Sequence, residues 1–388
     1  MPPIRRAVID VGTNSVKLLV ADVDDREILP ICEQSQQTRL GHAFYETHRL
    51  QPDAIGATAK AVAGFAAVAR EAQAASIRVI ATSAAREAVN RDELTSAIEQ
   101  ASGLKVEVIS GEQEAALGFQ GVTTDPQLAQ GPVLLMDVGG GSAQFVFGCD
   151  GHAQFSHSFP LGSVRLLETM PCSDPPKPAE LAACRAWLKD FLNKEVRPKF
   201  SAETGVGRLD ESASKSLLTG ALPNTVGQAF QPAGCEAFQL RPKAPTPPCA
   251  FRGLESPRNR QAGKPALLGQ HALTSAPAGI HGAVQLVGVG GTASILGCME
   301  AGLTKFDRAR LEATRLTAAR VSWHLERLWS LPLEQRKQIV GLPKNRADII
   351  LMGVAIYQAV METFDFPDLR ISTRGLRFAA LLQSDPQQ

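Results

Sequence analysis

Short apolar runs that end in glycine-rich turns are the clearest pattern along this chain. Residues 134–147 open with an apolar run, break into three glycines and a serine, and continue as a second apolar run. Two β-rich runs joined by a glycine turn are typical of a hairpin. Residues 7–22 repeat this pattern, and a third glycine turn follows the apolar run at 285–289. The repetition predicts two related α/β half-domains, because a repeated pattern is the sequence signature of a repeated structural unit.

Elsewhere the spacing of apolar residues predicts the helices and strands that join these hairpins. Helices are expected at 52–74, 93–101, 110–118, 178–197, 307–328 and 333–340, with further helices opening at 346 and 374. Strands are expected at 27–33, 77–81, 106–109 and 369–372, with one more after residue 155. Strands that alternate with helices in this way indicate the α/β class.

Length and composition restrict the function classes. The chain has 388 residues, enough for two domains, and Gly131-Pro132 marks the expected boundary between domains 1–131 and 132–388. The formal net charge is +1, which indicates neither a nucleic-acid nor a membrane partner. The seven cysteines form no Cys-x-x-Cys pair, which argues against a zinc site or a disulfide framework and fits a reducing cytoplasm.

Residues 200–283 differ from the rest of the chain in composition. Prolines recur there among Gly, Ser, Gln and Arg, and apolar residues follow neither a period of 2 nor one of 3.6. Such a segment buries too little apolar surface to offset the entropy of ordering it. We therefore expect a largely disordered insertion within the second domain, with partner binding as an alternative role.

The glycine turns have the composition of anion-binding loops. Glycine lets a ligand approach the backbone closely, and successive N–H groups in such a turn form a concave site for phosphate. An aspartate precedes each of the first two turns, Asp10 and Asp137, where a carboxylate can hold a hard cation beside the anion. Lys17 follows the first turn and can face a phosphate or only solvent. The loop candidates are Gly12, Thr13, Asn14, Ser15, Gly139, Gly140, Gly141 and Ser142.

Two further candidates lie on helices. Arg86 follows Thr82-Ser83, and its guanidinium can bind phosphate oxygens or form a surface salt bridge with a neighbouring acid. Glu114 lies in the first turn of the helix that begins after Ser110, where a carboxylate is also favoured by the helix dipole alone. The residues by themselves leave both interpretations open.

Four motifs occur in the order seen in the exopolyphosphatase and guanosine pentaphosphate phosphohydrolase family. They are Asp10-Val-Gly-Thr-Asn-Ser15, Ala81-Thr-Ser-Ala-Ala-Arg-Glu-Ala88, Ile109-Ser-Gly-Glu-Gln-Glu-Ala115 and Asp137-Val-Gly-Gly-Gly-Ser142. The chain resembles that family over roughly residues 4–200 and 284–382. The resemblance implies two domains of the actin, sugar-kinase and Hsp70 fold, with a cleft between them. Long family members carry further helical domains after this point, so a short form is expected.

The resemblance also implies an activity and roles for named residues. We expect a hydrolase that releases the terminal orthophosphate of polyphosphate or the 5′ phosphate of guanosine pentaphosphate. Glu114 takes the place of the glutamate that directs water at phosphorus, and Arg86 that of a substrate-binding arginine. Mg²⁺ is expected on Asp137, with Asp10 acting through water. Ser163, Arg165 and the arginines after residue 373 are expected near the substrate channel.

One position departs from the family pattern. Gln144, which is also a candidate for phosphate binding, stands where the family usually has a second glutamate, and an amide cannot neutralise a cation. Slower hydrolysis, a different arrangement of the metal and loss of activity all remain open. The alternatives are a kinase of the same superfamily, a sensor that binds polyphosphate or guanosine alarmones, and a scaffold without activity. No Gly-x₄-Gly-Lys-Ser/Thr motif is present, which argues against a P-loop NTPase. The sequence does not choose between the two substrates, and the resemblance leaves a homodimer open.

Overall fold

The computed structural model describes residues 2–204 and 284–383, which contain two mixed β-sheets and the helices around them. Most of the predicted insertion, from residue 205 to residue 283, lies outside the described residues. Its first residues, 200–204, belong to the helix Arg197–Thr204, so the expectation of disorder is wrong for them. Within the described ranges, no helix combines the length and the apolar character needed to cross a bilayer.

The first sheet has the strand order β3-β2-β1-β4-β5. Strands β1 to β3 form an antiparallel meander, whereas β4 and β5 continue the sheet in parallel to β1. The strands are β1 (Ile4–Val11), β2 (Ser15–Asp24), β3 (Glu27–Gln37), β4 (Ser76–Ala81) and β5 (Val106–Val108).

The second sheet repeats this arrangement with the order β8-β7-β6-β9-β11-β10. Its first three strands are again an antiparallel meander, and β9 and β11 are again parallel additions, while β10 is an extra antiparallel edge strand. The repeated hairpin pattern of the sequence thus corresponds to a repeated strand order. The strands are β6 (Pro132–Val138), β7 (Ala143–Cys149), β8 (His152–Phe159), β9 (Gln285–Val289), β10 (Arg315–Thr317) and β11 (Asp368–Ile371).

The helices of the described ranges agree with most of the predicted ones. A π-helical turn, Leu192–Val196, joins the two parts of the helix expected at 178–197. The helices are α1 (Pro52–Glu71), α2 (Ser83–Glu87), α3 (Arg91–Ser102), α4 (Gly111–Val122), α5 (Ser163–Thr169), α6 (Pro178–Phe191), α7 (Arg197–Thr204), α8 (Gly290–Ala301), α9 (Arg308–Glu312), α10 (Ala318–Ser330), α11 (Leu333–Arg336), α12 (Ile350–Thr363) and α13 (Leu376–Leu382).

The prediction of a single helix at 307–328 is wrong. Residues 315–317 form strand β10, which pairs with β11 and divides the segment into α9 and α10. The side chain of Thr317 accepts a hydrogen bond from the backbone N–H of Arg320 and so caps α10. The apolar spacing was compatible with one helix, but pairing with a distant strand decided the structure. The helix expected at 333–340 is also shorter, ending at Arg336.

Helix α4 lies between the two sheets. Its Leu117 packs with Val8 and Ile80 of the first sheet, whereas Phe119 packs with Leu135 of the second. The C-terminal helix α13 joins the cluster on the first sheet. Because α4 is packed on both sides, the position of its N-terminal turn is fixed relative to both sheets. The domain boundary near residue 131 stays a prediction.

Candidate active site

The two glycine turns share the same local structure. The N–H of Gly12 donates to the carbonyl of Ser15 at 3.0 Å, and the N–H of Gly139 donates to that of Ser142 at 2.9 Å. The strand registers place Asp10 opposite Lys17 in the first hairpin and Asp137 opposite Gln144 in the second. The chemical difference between the two hairpins is therefore a cation in one and an amide in the other at the same position.

The second turn contacts the first so closely that its glycines are required. A Cβ atom added to Gly140 would lie 3.0 Å from the Cβ of Thr13. A Cβ atom on Gly141 would lie 2.9 Å from Thr13 Oγ1 and would collide with the hydroxyls of Tyr45 and Ser83. Larger side chains would therefore push the two loops apart.

A cavity of about 80 Å³ lies between the two turns. This volume suits one small anion and is too small for an extended chain. Asn14 lines the cavity, and its side-chain nitrogen is buried without a hydrogen-bond partner among the described residues, so it is available to an anion. The sequence-predicted residues that line the cavity are Asp10, Gly12, Thr13, Asn14, Ser15, Lys17, Glu114, Asp137, Gly139, Gly140, Gly141, Ser142 and Gln144.

Glu114 reaches this cavity from the N-terminal turn of α4. That turn has the expected capping box, in which Ser110 accepts from the backbone of Gln113 and the Gln113 side chain accepts from Ser110 in return. Arg86 does not line the cavity itself. Its Nη1 donates to Glu114 Oε2 at 3.1 Å and to the carbonyl of Ile109 at 3.0 Å. The structure thus brings Arg86 to the site through Glu114.

Burial raises the pKa of the Glu114 carboxyl to about 8. The Arg86 guanidinium opposes this rise, and the charge of Asp137 reinforces it. The pKa of Asp137 is raised as well, chiefly by burial. A carboxyl whose pKa lies close to neutral pH is suited to accept and release a proton during catalysis.

Gln144 forms hydrogen bonds that a carboxylate cannot make. Its Nε2 donates to Ser142 Oγ at 2.9 Å and to Ser158 Oγ at 3.1 Å. The Gln144 side chain is buried, and its hydrogen bond to Ser142 is buried, whereas the one to Ser158 is partly buried. The amide therefore fixes the hydroxyl of the second turn instead of adding a negative charge.

The other residues expected near the substrate channel are Ser163, Arg165, Arg374 and Arg377. Ser163 lines the small cavity. Arg165 does not, because its Nε donates to the carbonyl of Gly141 at 2.7 Å and its Nη2 to both oxygens of Glu87 at 2.7 Å. Arg377 lines a larger neighbouring cavity, whereas Arg374 lies 3.5 Å from Glu312.

Sequence reasoning missed Arg346 as a site residue. It lies in a short 3₁₀ turn before α12, lines the small cavity, and donates from Nη2 to Ser15 Oγ at 2.6 Å. Burial lowers its pKa to about 10. The sequence does contain a signal for this residue. Two charged residues, Arg346 and Asp348, come directly before a strongly apolar helix. The cavity is also lined by Thr82, Ser83, Val138, Gly291, Thr292 and Leu376, which were not predicted as site residues.

The two aspartates decide whether a divalent cation suits this site. In the ranges 2–204 and 284–383, no group of three or more His, Cys, Asp or Glu side chains is placed to hold a metal ion alone. Magnesium is usually bound by one or two carboxylates together with water and phosphate oxygens. Asp10 and Asp137 both line the cavity, so the donor set fits Mg²⁺ when a phosphate is bound beside it.

Two sheets that share one order over five strands, with a glycine turn from each meeting at one cavity, define an α/β protein of the actin-like class. Residues 19–217 and 259–387 match the Ppx/GppA phosphatase family, and the chain belongs to that family. The predicted family and fold are confirmed, and so is the predicted enzyme class, a hydrolase of the exopolyphosphatase type.

The chain is similar to named proteins in sequence and to solved structures in fold. The chain is 36% identical over 225 residues to Exopolyphosphatase 2 of Mycobacterium tuberculosis, which covers 55% of this chain and 70% of that protein. Among solved structures, the PPX-GPPA enzyme of Aquifex aeolicus is 25% identical with a TM-score of 0.64, covering 99% of this chain and 100% of that one. An exopolyphosphatase from Cytophaga hutchinsonii is 20% identical with a TM-score of 0.68, covering 97% and 96%, and shows the fold alone.

Proposed function

We propose that this protein hydrolyses the terminal phosphoanhydride bond of inorganic polyphosphate and releases orthophosphate. The observation that carries the proposal is the convergence of two glycine turns, two aspartates and Glu114 on one cavity of about 80 Å³. The names of the curated relatives support polyphosphate as the substrate. The 5′ phosphate of guanosine pentaphosphate presents the same kind of bond and is the second candidate substrate.

In this proposal the two turns bind the terminal phosphoryl group. The backbone N–H groups of residues 13–15 and 140–142 and the amide of Asn14 supply hydrogen-bond donors. Phosphoryl transfer depends mainly on positioning and on neutralising charge, so such a set of donors does most of what the reaction requires. The small volume of the cavity selects the end of a chain over its interior.

Glu114 is the proposed base. Its Oε2 is held by Arg86, whereas Oε1 accepts no hydrogen bond from a protein group in the part of the chain that the structure describes. The free oxygen can accept a hydrogen bond from water and orient that water towards phosphorus. Arg86 fixes the orientation of the carboxylate, so its effect on the reaction is exerted through Glu114.

Asp137, with Asp10 acting through water, is the proposed holder of Mg²⁺. When bound, the cation would neutralise charge on the phosphoryl oxygens. Lys17 contributes a second positive charge, because it lines the same cavity and interacts electrostatically with both aspartates.

A sensor that binds the same anions without hydrolysing them is the second candidate function. Gln144 favours it, because an amide stands beside Asp137 where a carboxylate would strengthen metal binding. Phosphate release from polyphosphate and from guanosine pentaphosphate, with Mg²⁺ and without an acceptor, separates the two. Release supports the hydrolase, and tight binding without release supports the sensor. Phosphate transfer that requires an added acceptor would instead indicate a kinase.

A further inference from the structure

The segment after β3, residues 38–48, forms a strap behind the first glycine turn. Its backbone N–H groups at Arg39 and Gly41 donate to the carbonyls of Asn14 and Thr13, at 3.1 and 2.7 Å. The contact is so close that a Cβ atom added to Gly41 would lie 2.3 Å from Thr13 Cγ2. The position of the strap therefore influences the backbone that supplies the N–H donors of the first turn.

Helix α5 supports the second turn in a comparable way. The backbone N–H groups of Ser163 and Val164 donate to the carbonyls of Gly139 and Gly140, at 3.0 and 2.8 Å. Helix α5 follows β8 of the second sheet, whereas the strap follows β3 of the first sheet. Each turn thus has a support of its own, and the position of one support relative to the other influences the spacing of the turns.

Glu168 on α5 joins the two supports. Its Oε1 accepts a hydrogen bond from the N–H of Ala43 at 2.7 Å, and its Oε2 accepts one from the N–H of Tyr45 at 3.2 Å. On the same helix, the Arg165 guanidinium lies 4.1 Å from the centre of the Tyr45 ring. Hydrogen bonds to a carboxylate are stronger than those between neutral groups. The two turns, the strap, Glu168 and α5 therefore form a closed ring of contacts around the small cavity.

The backbone of the strap is held in an unfavourable conformation. Arg39 and Ala43 both have a φ of +52°, in the left-handed region that residues other than glycine rarely adopt. Surrounding contacts have to stabilise such a segment. Leu40 and Phe44 anchor the strap in the core on the first sheet, and Glu168 holds Ala43 from the side of the second sheet.

We propose that Glu168 is a positioning residue for phosphoryl binding, because it holds the strap to α5 and so keeps the two glycine turns at the spacing that a phosphoryl group requires. This inference rests on the proposed function, in which the terminal phosphoryl group occupies the small cavity. Glu168 does not line that cavity and acts through the strap. Coupling between two sites is reciprocal, so a phosphoryl group bound between the turns in turn stabilises the contacts of Ala43 and Tyr45 with Glu168.

The sign of the expected effect separates positioning from simple electrostatics. On charge alone, removal of an acid strengthens the binding of an anion. Loss of the contact between the strap and α5 weakens it instead. Glu46 provides the matched control, because it is an exposed acid that lines the same outer cavity of about 560 Å³ as Glu168 and does not bridge to α5 among the described residues.

Binding to the Glu114→Gln protein tests the inference without turnover. Calorimetry with Mg²⁺ gives the Kd and the number of sites for orthophosphate and for tripolyphosphate. Glu168→Ala should raise both Kd values about tenfold, because hydrogen bonds to a charged group are lost. Glu168→Gln should have a smaller effect, since the amide oxygen still accepts one N–H. Glu46→Ala should leave both Kd values unchanged or lower them. Partial unfolding would instead reduce the number of sites at an unchanged Kd.

Hydrogen exchange tests the reciprocal effect. The amides of Ala43 and Tyr45 should exchange faster in Glu168→Ala, and orthophosphate should slow them only where Glu168 is present. An unchanged or lower Kd in Glu168→Ala, or exchange at these amides that orthophosphate does not slow, would overturn the inference. If the wild type binds tripolyphosphate but releases no phosphate, the hydrolase proposal fails, and the binding constants still decide the role of Glu168. Absence of binding of both anions would contradict both proposals.

Discussion

The guanidinium of Arg86 donates a hydrogen bond of 3.1 Å to the carboxylate of Glu114, across 28 residues of sequence. This contact joins α2, which packs against the first sheet, to α4, which packs between the two sheets. It holds one carboxylate oxygen of Glu114, a residue that lines the small cavity. The two motifs that carry these residues therefore meet at one candidate site.

The pKa of Glu114 leads to a prediction for the pH dependence of activity. A base must lose its proton to act, and burial raises the pKa of this carboxyl to about 8. We expect kcat/KM to rise about tenfold per pH unit at lower pH and to level off above about pH 8. Arg86→Gln should move this inflection to higher pH, because the opposing positive charge is lost. Activity that does not change between pH 6 and pH 9 would exclude Glu114 as the titrating base.

The same carboxyl should make the folded protein less stable as the pH rises. Its pKa is higher in the folded state than in the unfolded chain, so the folded state binds the proton more tightly. The stabilisation is complete below about pH 4.5 and is lost as the pH rises to about 8. Urea denaturation at several pH values should show a slope of at most about 1.4 kcal/mol per pH unit from this group. Glu114→Gln should flatten the curve in this window, and an unchanged curve would show that the carboxyl is not buried in its neutral form.

Gly141→Ala should separate the two glycine turns. The added methyl group collides with Tyr45 and Ser83, so we expect a loss of about 1–3 kcal/mol in stability and weaker orthophosphate binding. Gly64→Ala is the matched control, because it lies in α1 with nothing within 4 Å and should be neutral or slightly stabilising. Equal effects of the two substitutions on phosphate binding would argue against close contact of the turns.

Gln144→Glu should change the metal requirement. A third carboxylate beside Asp137 would bind Mg²⁺ more tightly, but without metal it would repel Asp137 and lose the donor to Ser142 and Ser158. We expect half-maximal activity at a lower Mg²⁺ concentration, together with a lower Tm in chelator. An unchanged Mg²⁺ dependence would show that position 144 does not influence the metal site.

Local sequence was sufficient to locate both glycine turns. Strand, aspartate and glycine follow one another within a few residues, and the main-chain hydrogen bond from Gly12 to Ser15 closes within the motif itself. The same holds for the capping box that orients Glu114, which depends only on residues 110–113. Features of this kind can be read from sequence because neighbours along the chain determine them.

Contacts between distant segments were not predictable in the same way. Arg346 meets Ser15 across 331 residues, and nothing local to either residue indicates the contact. The apolar spacing around β10 predicts a helix, but the pairing of β10 with β11 outweighs that spacing. Gln144 was recognised as a departure from the family, but its role in holding two serine hydroxyls required the geometry of β7 and β8.

The most direct test of the account is phosphate release from polyphosphate with Mg²⁺ by the wild type and by Glu114→Gln, with orthophosphate binding measured on both. A general base contributes about 10²–10⁴-fold, so we expect turnover to fall by that factor while the Kd of orthophosphate stays nearly unchanged. Equal turnover by the two proteins would contradict the assignment of Glu114 as the base on which the proposed hydrolysis depends.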